Sequence, residues 1–400
     1  MLSSDVKYIF SNISNNKKNV YKRIPTLNTM RQYVNITKRL GFNYEEGLGR
    51  GNQKAVTLKR IDGTIIGELK DMKYPNNSRE SMKLVKDKIA AEKLLRLSGI
   101  YTTNSTVYNE NDLSKAKEEF YSSKGDRLAV IKPINMSGGL GVNVRINEND
   151  FDYFWNDTVN IIKGTSKREV NLMVQDYIEG FEARAVVIEG KLISIVARIP
   201  AYVVGNGKNS IKNLVQIKNR ERQKCAHLRK RPIVLDEKKE KFLNYNNLNF
   251  KSIPNKGEFV LLSSLSNISN GGEMVDITDD VCDEIKSSAV KSIAAIPGLY
   301  SGGVDLIMKT FEDKEPRVIE INAWPMLQST LYPTYGKQYA PQEYFLKSFY
   351  ALDQFLNNPS QKYPIENYEY YLRNIMKFQK LKINLQTQQI LHNLEKYSLD

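Results

Sequence analysis

Hydrophobic positions in this chain fall into short runs of period two, separated by longer stretches with helical spacing, the pattern of a mixed α/β protein. Between Ser301 and Leu331 the apolar runs VDLIM and RVIEIN predict two short buried strands, with the polar stretch Thr310 to Pro316 as a hairpin-like turn. Alternation sends Glu320 and Asn322 to one face, and an antiparallel return brings Asp305 beside them. Upstream, LMVQDYIEGFEARAVVIEGKLISIVARIP predicts an antiparallel meander turning at Glu189-Gly190-Lys191. EEGLGRGNQKAVTLKRIDGTIIGELK predicts strands joined by a turn at Asp62-Gly63, and LAVIKP a strand that runs into a glycine-rich loop.

The helical stretches are equally legible. LNTMRQYVNITKRLGF is one; PNNSRESMKLVKDKIAAEKLLRLSGI is another, opened by Ser78, closed by Gly99 and carrying Met82, Val85, Ile89, Leu94, Leu95 and Leu97 near helical spacing. On that pattern Lys88 is a surface lysine. IKNLVQIKNRERQKCAHLRKRPIVL predicts a helix whose trailing segment is basic, with Arg220, Arg222, His227, Arg229 and Arg231. Such a run is a solvated face, or beside a nucleotide site a holder of an anionic substrate. From Gln342 the residues Phe345, Phe349, Leu352 and Leu356 predict a helix, and the tail after Asn357 an appended amphipathic one, suited to core packing or a partner contact.

A chain of 400 residues that is 41% hydrophobic can build two or three packed lobes. The longest apolar stretch, Ala183 to Val204, is interrupted by Arg184, Glu189, Lys191 and Arg198, so no membrane span is expected. The N-terminal MLSSDVKYIFSNISNNKKN lacks the apolar core of a secretory signal, which places the expected location in the cytoplasm. Two cysteines, Cys225 and Cys282, and two histidines, His227 and His392, are too few for a disulfide framework or a zinc site. The formal charge of +14 suits phosphate-bearing ligands or a polyanion. The lysines are spread along the chain, however, with no zinc-finger spacing, RNP-like motif or dense basic arm, which favours a solvated lysine-rich surface over nucleic-acid binding.

Candidate chemistry sits on the loops and strand ends. Asp305, Glu320 and Asn322 form a hard-oxygen set that suits Mg²⁺ with a nucleotide, or are the rim of an ordinary hairpin. Lys132 ends a strand before Gly138, Gly139 and Gly141, where a fixed charge and close backbone N–H groups can cradle phosphate, or a flexible hairpin loop does nothing more. Gln175 to Ile178 is a connector whose backbone can bond a base, with Glu182 placed for ribose hydroxyls. Arg198 faces a pocket or snorkels to solvent, and Asn267 with Gly271-Gly272 is an anion nest or a plain turn.

In order, DKIAAEKLL, VIKP with its glycine loop, VQDYIEGFEAR, ARIPAYVVGNGKNSIKNLV, IPNKGEFVLL, SNISNGGEMVDITDDV, SGGVDLI and IEINAWPM followed by YPTYGK resemble the ATP-grasp superfamily. Within it the likeness is to the ATP-grasp domain of cyanophycin synthetase and of bifunctional glutathione synthetase, over about Lys86 to Pro341. The resemblance implies an α/β (α+β) fold in which the nucleotide is held between two lobes with antiparallel sheets. It divides the chain into an N-terminal lobe at 1–85, an ATP-grasp domain at 86–350 with a lid at about 98–174, and a helical extension at 351–400. It implies an ATP-dependent carbon–nitrogen ligase that joins a small carboxylate to an amine, amino acids or short peptides, through an acylphosphate, releasing ADP and phosphate.

By that resemblance Lys88 and Lys132 reach the ATP phosphates and Gly138, Gly139 and Gly141 belong to the lid loop; Gln175, Asp176, Tyr177 and Ile178 match the adenine hinge and Glu182 the ribose acid. Asp305, Glu320 and Asn322 match ligands for Mg²⁺, two ions with Mn²⁺ as a substitute, while Arg198, Asn267, Gly271 and Gly272 match positions near the transferred phosphoryl group. Gln175 stands where the family often has Glu, Trp324-Pro325-Met326 replaces a smaller segment, and the usual arginine motif is blurred into NRERQKCAHLRKR. Neither the muramyl-ligase-like nor the glutamate–cysteine ligase domain of those enzymes is visible. A homo-oligomer is compatible with the pattern, and a membrane partner is not expected. Two other classes stay open: a nucleotide-binding regulatory protein with a degenerate site, and a polyanion-binding protein.

Overall fold

The run FEARAVVI puts Glu182 and Arg184 on the same face as Val186 and Ile188, so one face of one strand is charged at one end and apolar at the other. In the computed structural model this strand is the middle of a five-stranded sheet, and that lengthwise division positions the site. The structure describes residues 2–19, 29–48, 54–70, 74–122, 127–136, 139–165, 169–266, 268–325, 327–358 and 362–397.

The chain opens with α1 (Ser3–Asn12), α2 (Thr29–Arg39) and a three-stranded antiparallel sheet of β1 (Asn43–Leu48), β2 (Lys54–Lys59) and β3 (Ile65–Lys70). Helices α3 (Arg79–Leu84) and α4 (Lys88–Leu97) lead into a four-stranded unit at the position of the expected lid, and the unit keeps that label below. The lid sheet has the order β4-β7-β5-β6, from β4 (Ser105–Asn109), β5 (Ala129–Pro133), β6 (Asn143–Ile146) and β7 (Asn171–Asp176), with α5 (Leu113–Tyr121) and α6 (Phe151–Thr165). The five-stranded sheet has the order β12-β9-β8-β13-β14, from β8 (Phe181–Ile188), β9 (Lys191–Ile199), β12 (Glu273–Asp276), β13 (Ser301–Met308) and β14 (Arg317–Asn322), with every neighbour antiparallel. Between β9 and β12 lie the ribbon β10 (Tyr202–Val204) and β11 (Phe259–Leu261) with α7 (Ile211–Gln223), α8 (Ala226–Arg229) and α9 (Glu237–Tyr245). Helices α10 (Asp283–Ala295), α11 (Gln328–Leu331), α12 (Pro341–Asn357) and α13 (Tyr368–Tyr397) complete the fold.

One face of the large sheet, through Ala183, Ala185, Ile195, Ala197, Val304 and Leu306, packs in one cluster with Ile285, Ala289 and Ile293 of α10. The apolar end of the other face, Val186 and Ile188, shares a cluster with Phe345 and Leu346 of α12 and with β2 and β3. Burying each such side chain contributes roughly 1.5–3 kcal/mol, so the sheet is clamped on one whole face and half of the other. The lid keeps a core of its own, centred on Phe151, Trp155, Ile131 and Leu172.

Three expectations need correction. The single helix opened by Ser78 is two: Ser78 does cap α3, its Oγ accepting from Ser81 N at 3.0 Å, but a fresh cap at Asp87, accepting from Ala90 N at 3.0 Å, starts α4. A chain that re-caps changes direction, which places Lys88 at the first residue of α4. The meander is a hairpin of β8 and β9 only; β7 belongs to the lid sheet, beside β4 and β5. Of the α12 positions, Phe345 is fully buried but Leu356 is 67% exposed, because the last turn of the helix runs past its support.

At the tip of that hairpin Glu189 has φ +46° and is buried, with Oε1 accepting from Asn76 Nδ2 at 2.6 Å. Burial pushes its pKa up to about 7, against weaker lowering by Ser348 and Asn76. A carboxyl whose folded pKa is raised favours the fold fully below about 4.5; that contribution declines as pH rises and is gone once pH has passed about 7. Glu189→Gln, which keeps the Asn76 bond, is therefore expected to match the parent below pH ~5 and to exceed its stability above pH ~7 by about 3 kcal/mol. Melting curves of both proteins against pH check this, and parallel curves would disprove it.

Candidate active site

The charged half of the sheet face gathers side chains from four strands by simple alternation. Strand β8 supplies Glu182 and Arg184, β9 Arg198, β13 Asp305, and β14 Glu320 and Asn322. Register sets Asp305 opposite Glu320 and Gly303 opposite Asn322, and the ladder slips directly after the Asp305/Glu320 pair. The two opposed carboxylates share a face, and the bulge turns Val318, two residues before Glu320, into the core instead of onto that face.

Asp305 is buried and gripped by Arg184, with Nε to Oδ1 and Nη2 to Oδ2 both at 2.5 Å. Arg198 Nη1 lies 3.4 Å from Asp305 Oδ2 and is also ion-paired with Glu182, whose other oxygen accepts from Ser266 Oγ at 2.9 Å. Burial alone would raise the Asp305 pKa, but Arg184 and Arg198 outweigh it and hold the group below the ordinary carboxylate value. For Arg198 burial works against charge, yet Asp305 and Glu182 outweigh it, so the guanidinium stays charged.

Lys88 is not the surface lysine its helical spacing suggested: its side chain is only 18% exposed, and its Nζ stands 3.6 Å from Glu320 Oε2. From the lid, Lys132 of β5 is buried, and burial first, then the Lys88 charge, pulls its pKa down to about 8. The electrostatic partners of Lys132 include Glu320 and Glu182, so lid and sheet address one space. A desolvated lysine beside a second lysine suits an anionic oxygen ligand.

Among the hinge candidates, Gln175 is buried with Oε1 lacking a hydrogen-bond partner among the described residues. Asp176 is committed to Arg127, with Nε at 3.0 Å and Nη2 at 2.5 Å. Tyr177 N donates to Leu128 O at 2.8 Å, the Arg145 guanidinium stands 5.3 Å from its ring, and Ile178 follows in the connector to β8. Gly139 and Gly141, with φ of +77° and +70°, turn the chain between β5 and β6; Gly138 and Asn267 lie outside the described residues.

Gly271 needs φ +94° and has no room for a side chain, a Cβ there meeting Ile233 Cγ1 at 2.7 Å. The carbonyl of Gly272 accepts from Arg222 Nη1 at 3.2 Å. Arg222 is fully buried, also donating to Arg231 O at 2.7 Å and pairing with Glu273 at 3.4 Å. Neither sequence reading of the basic run holds for it, because it is an internal brace of the glycine pair.

Arg184 and Ser266 were missed by sequence reasoning. The signal for Arg184 was present, since it sits two residues after Glu182 on the same face. The donor set fits Mg²⁺: two opposed carboxylates and an amide are hard oxygen donors, few enough for an ion that keeps water and phosphate ligands. Asn322 Nδ2 is buried with no partner among the described residues, so its amide is not committed elsewhere through that atom. Among the described residues no three His, Cys, Asp or Glu cluster as a metal cage, and no helix is long and apolar enough to cross a membrane.

The chain is similar to known proteins. Residues 85–326 match the model of the ATP-grasp domain. The glutathione biosynthesis bifunctional protein of Clostridium perfringens is 31% identical over 260 residues, covering 64% of this chain and 32% of the relative. Cyanophycin synthetase of Trichormus variabilis is 27% identical over 262 residues, covering 64% and 28%. The crystal structure of a bifunctional glutathione synthetase from Pasteurella multocida superposes with a TM-score of 0.56 at 27% identity, covering 81% of this chain and 44% of that one. The chain thus spans about a third of the length of the curated relatives it matches. It belongs to the ATP-grasp family.

Proposed function

We propose that this chain is an ATP-dependent carboxylate–amine ligase that makes an amide or peptide bond through an acylphosphate and releases ADP and orthophosphate. The observation that carries the reading is the meeting of Lys88 and the lid's Lys132 with the opposed pair Asp305 and Glu320. Lys88 and Lys132 hold the phosphates, with Gly138, Gly139 and Gly141 closing over them. Gln175 to Ile178 take the adenine and Glu182 the ribose, exchanging its pairing with Arg198 for hydroxyls. Arg198, Asn267, Gly271 and Gly272 surround the transferred phosphoryl group, where aligned charge does most of the work of phosphoryl transfer. Asp305, Glu320 and Asn322 would hold Mg²⁺, two ions or Mn²⁺ in their place, which supplies charge neutralisation at the phosphate oxygens when bound. The lid excludes water from the activated acid. The substrates are a small carboxylate and an amine, of the amino-acid or short-peptide class that the relatives' names share.

The test is a screen of pooled amino acids and short peptides for ADP release. Stoichiometric ADP and orthophosphate are expected; AMP with pyrophosphate would refute γ-phosphoryl transfer. A nucleotide-binding protein without turnover is the second reading, favoured by one observation, that both Asp305 oxygens are engaged by Arg184. Nucleotide binding with no ADP release in any pool would select it.

A further inference from the structure

Helix α13 lies wholly beyond the residues matched by the family model, and its inner face carries polar groups where a packed helix is normally apolar. Lys382, only 4% exposed, donates from Nζ to the carbonyls of Leu299 at 2.8 Å, Ile296 at 2.9 Å and Ala294 at 3.4 Å. These belong to the end of α10 and the turn after it, where carbonyls have no intrahelical donor. Two turns on, Gln389, 5% exposed, donates from Nε2 to Ala295 O and Ser98 Oγ, both at 2.8 Å, with Leu94 O 3.2 Å from the same nitrogen. Gln386 adds a bond to Ala294 O at 3.3 Å, and His392 Nδ1 lies 3.1 Å from Leu97 O. One helix therefore ties the C-terminal ends of α10 and α4 together through side-chain donors.

What α4 connects gives this tie a meaning. Its first residue is Lys88 and it ends at Ser98-Gly99, where the chain leaves for the lid strand β4. In its middle, Glu92 accepts from Thr103 Oγ1 at 3.1 Å, Ser105 N at 3.1 Å and Ser105 Oγ at 2.6 Å, so the lid's entry segment is fastened to the same helix. A shift at the far end of a rigid helix moves both Lys88 and the lid's entry.

We propose that α13 is a strap for the ATP-grasp site, with Gln389 and Lys382 as positioning residues that hold α4 against α10 and so keep Lys88 and the lid's entry strand in place for nucleotide. The proposal rests on the nucleotide reading of the site. It predicts that cutting the polar tie weakens nucleotide binding out of proportion to stability, whereas an equal loss of apolar packing does not.

The probe is Mg–ADP, titrated by calorimetry into the full chain well below its melting temperature, with amide exchange followed over residues 98–109. Gln389→Met keeps the length and the apolar stem but removes the amide; Leu385→Ala, one turn away in the buried core, is the packing control. Gln389→Met is expected to raise the Mg–ADP dissociation constant by about tenfold and to speed exchange over 98–109, while Leu385→Ala changes affinity by less than about twofold despite a lower melting temperature. His392→Ala, on the exposed edge of the strap, replaces Gln389→Met if that variant does not fold, with a weakening of about threefold expected. Parental affinity in the strap variant, or equal weakening by Leu385→Ala, overturns the strap alone. A parent chain that binds no Mg–ADP overturns the nucleotide reading and the strap with it.

Discussion

Glu320→Gln is expected to lower ADP release by about two to three orders of magnitude, the equivalent of ~2–4 kcal/mol of lost transition-state stabilisation, without changing the melting temperature. Glu320 is partly exposed, at 33%, on the cleft face of β14, so its replacement empties no core. Glutamine keeps the shape and one carbonyl oxygen. What it loses is the charge that faces Asp305 across the ladder and Lys88 at 3.6 Å. Asp305 is a less clean target, because its loss would leave Arg184 buried without its bidentate partner and would confuse a folding defect with a chemical one. The measurement is initial rate against Mg²⁺ concentration under conditions that support the parent, beside a melting curve. A soluble Glu320→Gln protein that melts with the parent and turns over at near-parental rate would reduce this hairpin to architecture.

Gly180→Ala is expected to be strongly destabilising. Gly180 sits in the connector from β7 of the lid to β8, with φ +133°, a region that residues with a Cβ scarcely enter. A Cβ there would lie 2.3 Å from the carbonyl oxygen of Met308 and 2.7 Å from its carbon, both backbone atoms of a strand paired to β8. Neither partner can yield without breaking the Met308 to Phe181 register. Backbone strain of roughly 1–3 kcal/mol and a clash of similar size predict a fall in melting temperature of roughly 2–7 °C. Gly164→Ala, in helix α6 with nothing within 4 Å of the new methyl, is the control and should be neutral or slightly stabilising. Equal melting temperatures for the two variants would show the connector to be looser than its geometry.

How far the sequence could be read depended on whether a feature was local. Period-two alternation set Glu320 and Asn322 on one face and pointed to Asp305 across the hairpin, because strand geometry leaves no other choice. The same rule carried Glu182 and could have carried Arg184. It could not say that β7 pairs with β4 and β5 instead of with β8, since alternation records a strand's face and not its neighbour. Lys88 was misjudged because apolar spacing ran smoothly through Val85 to Asp87; the cue was Asp87 itself, a capping residue three positions before Ala90. Arg222 looked like one more surface charge because its partner, Glu273, is fifty-one residues away in sequence. The polar grip of Lys382 and Gln389 was invisible for the same reason, as their acceptors are carbonyls of other helices, which composition never reveals.

The lid hangs from the rest of the molecule by two covalent connectors and shares none of its central cluster with the other lobes. A displacement of the whole unit would leave that cluster intact. A module with a private interior and two attachment points is also a unit of exchange. Recombination between relatives at Gly99 and Gly180 would graft a new cover, bringing its own counterparts of Lys132 and of Gln175 to Ile178, onto an unchanged five-stranded sheet.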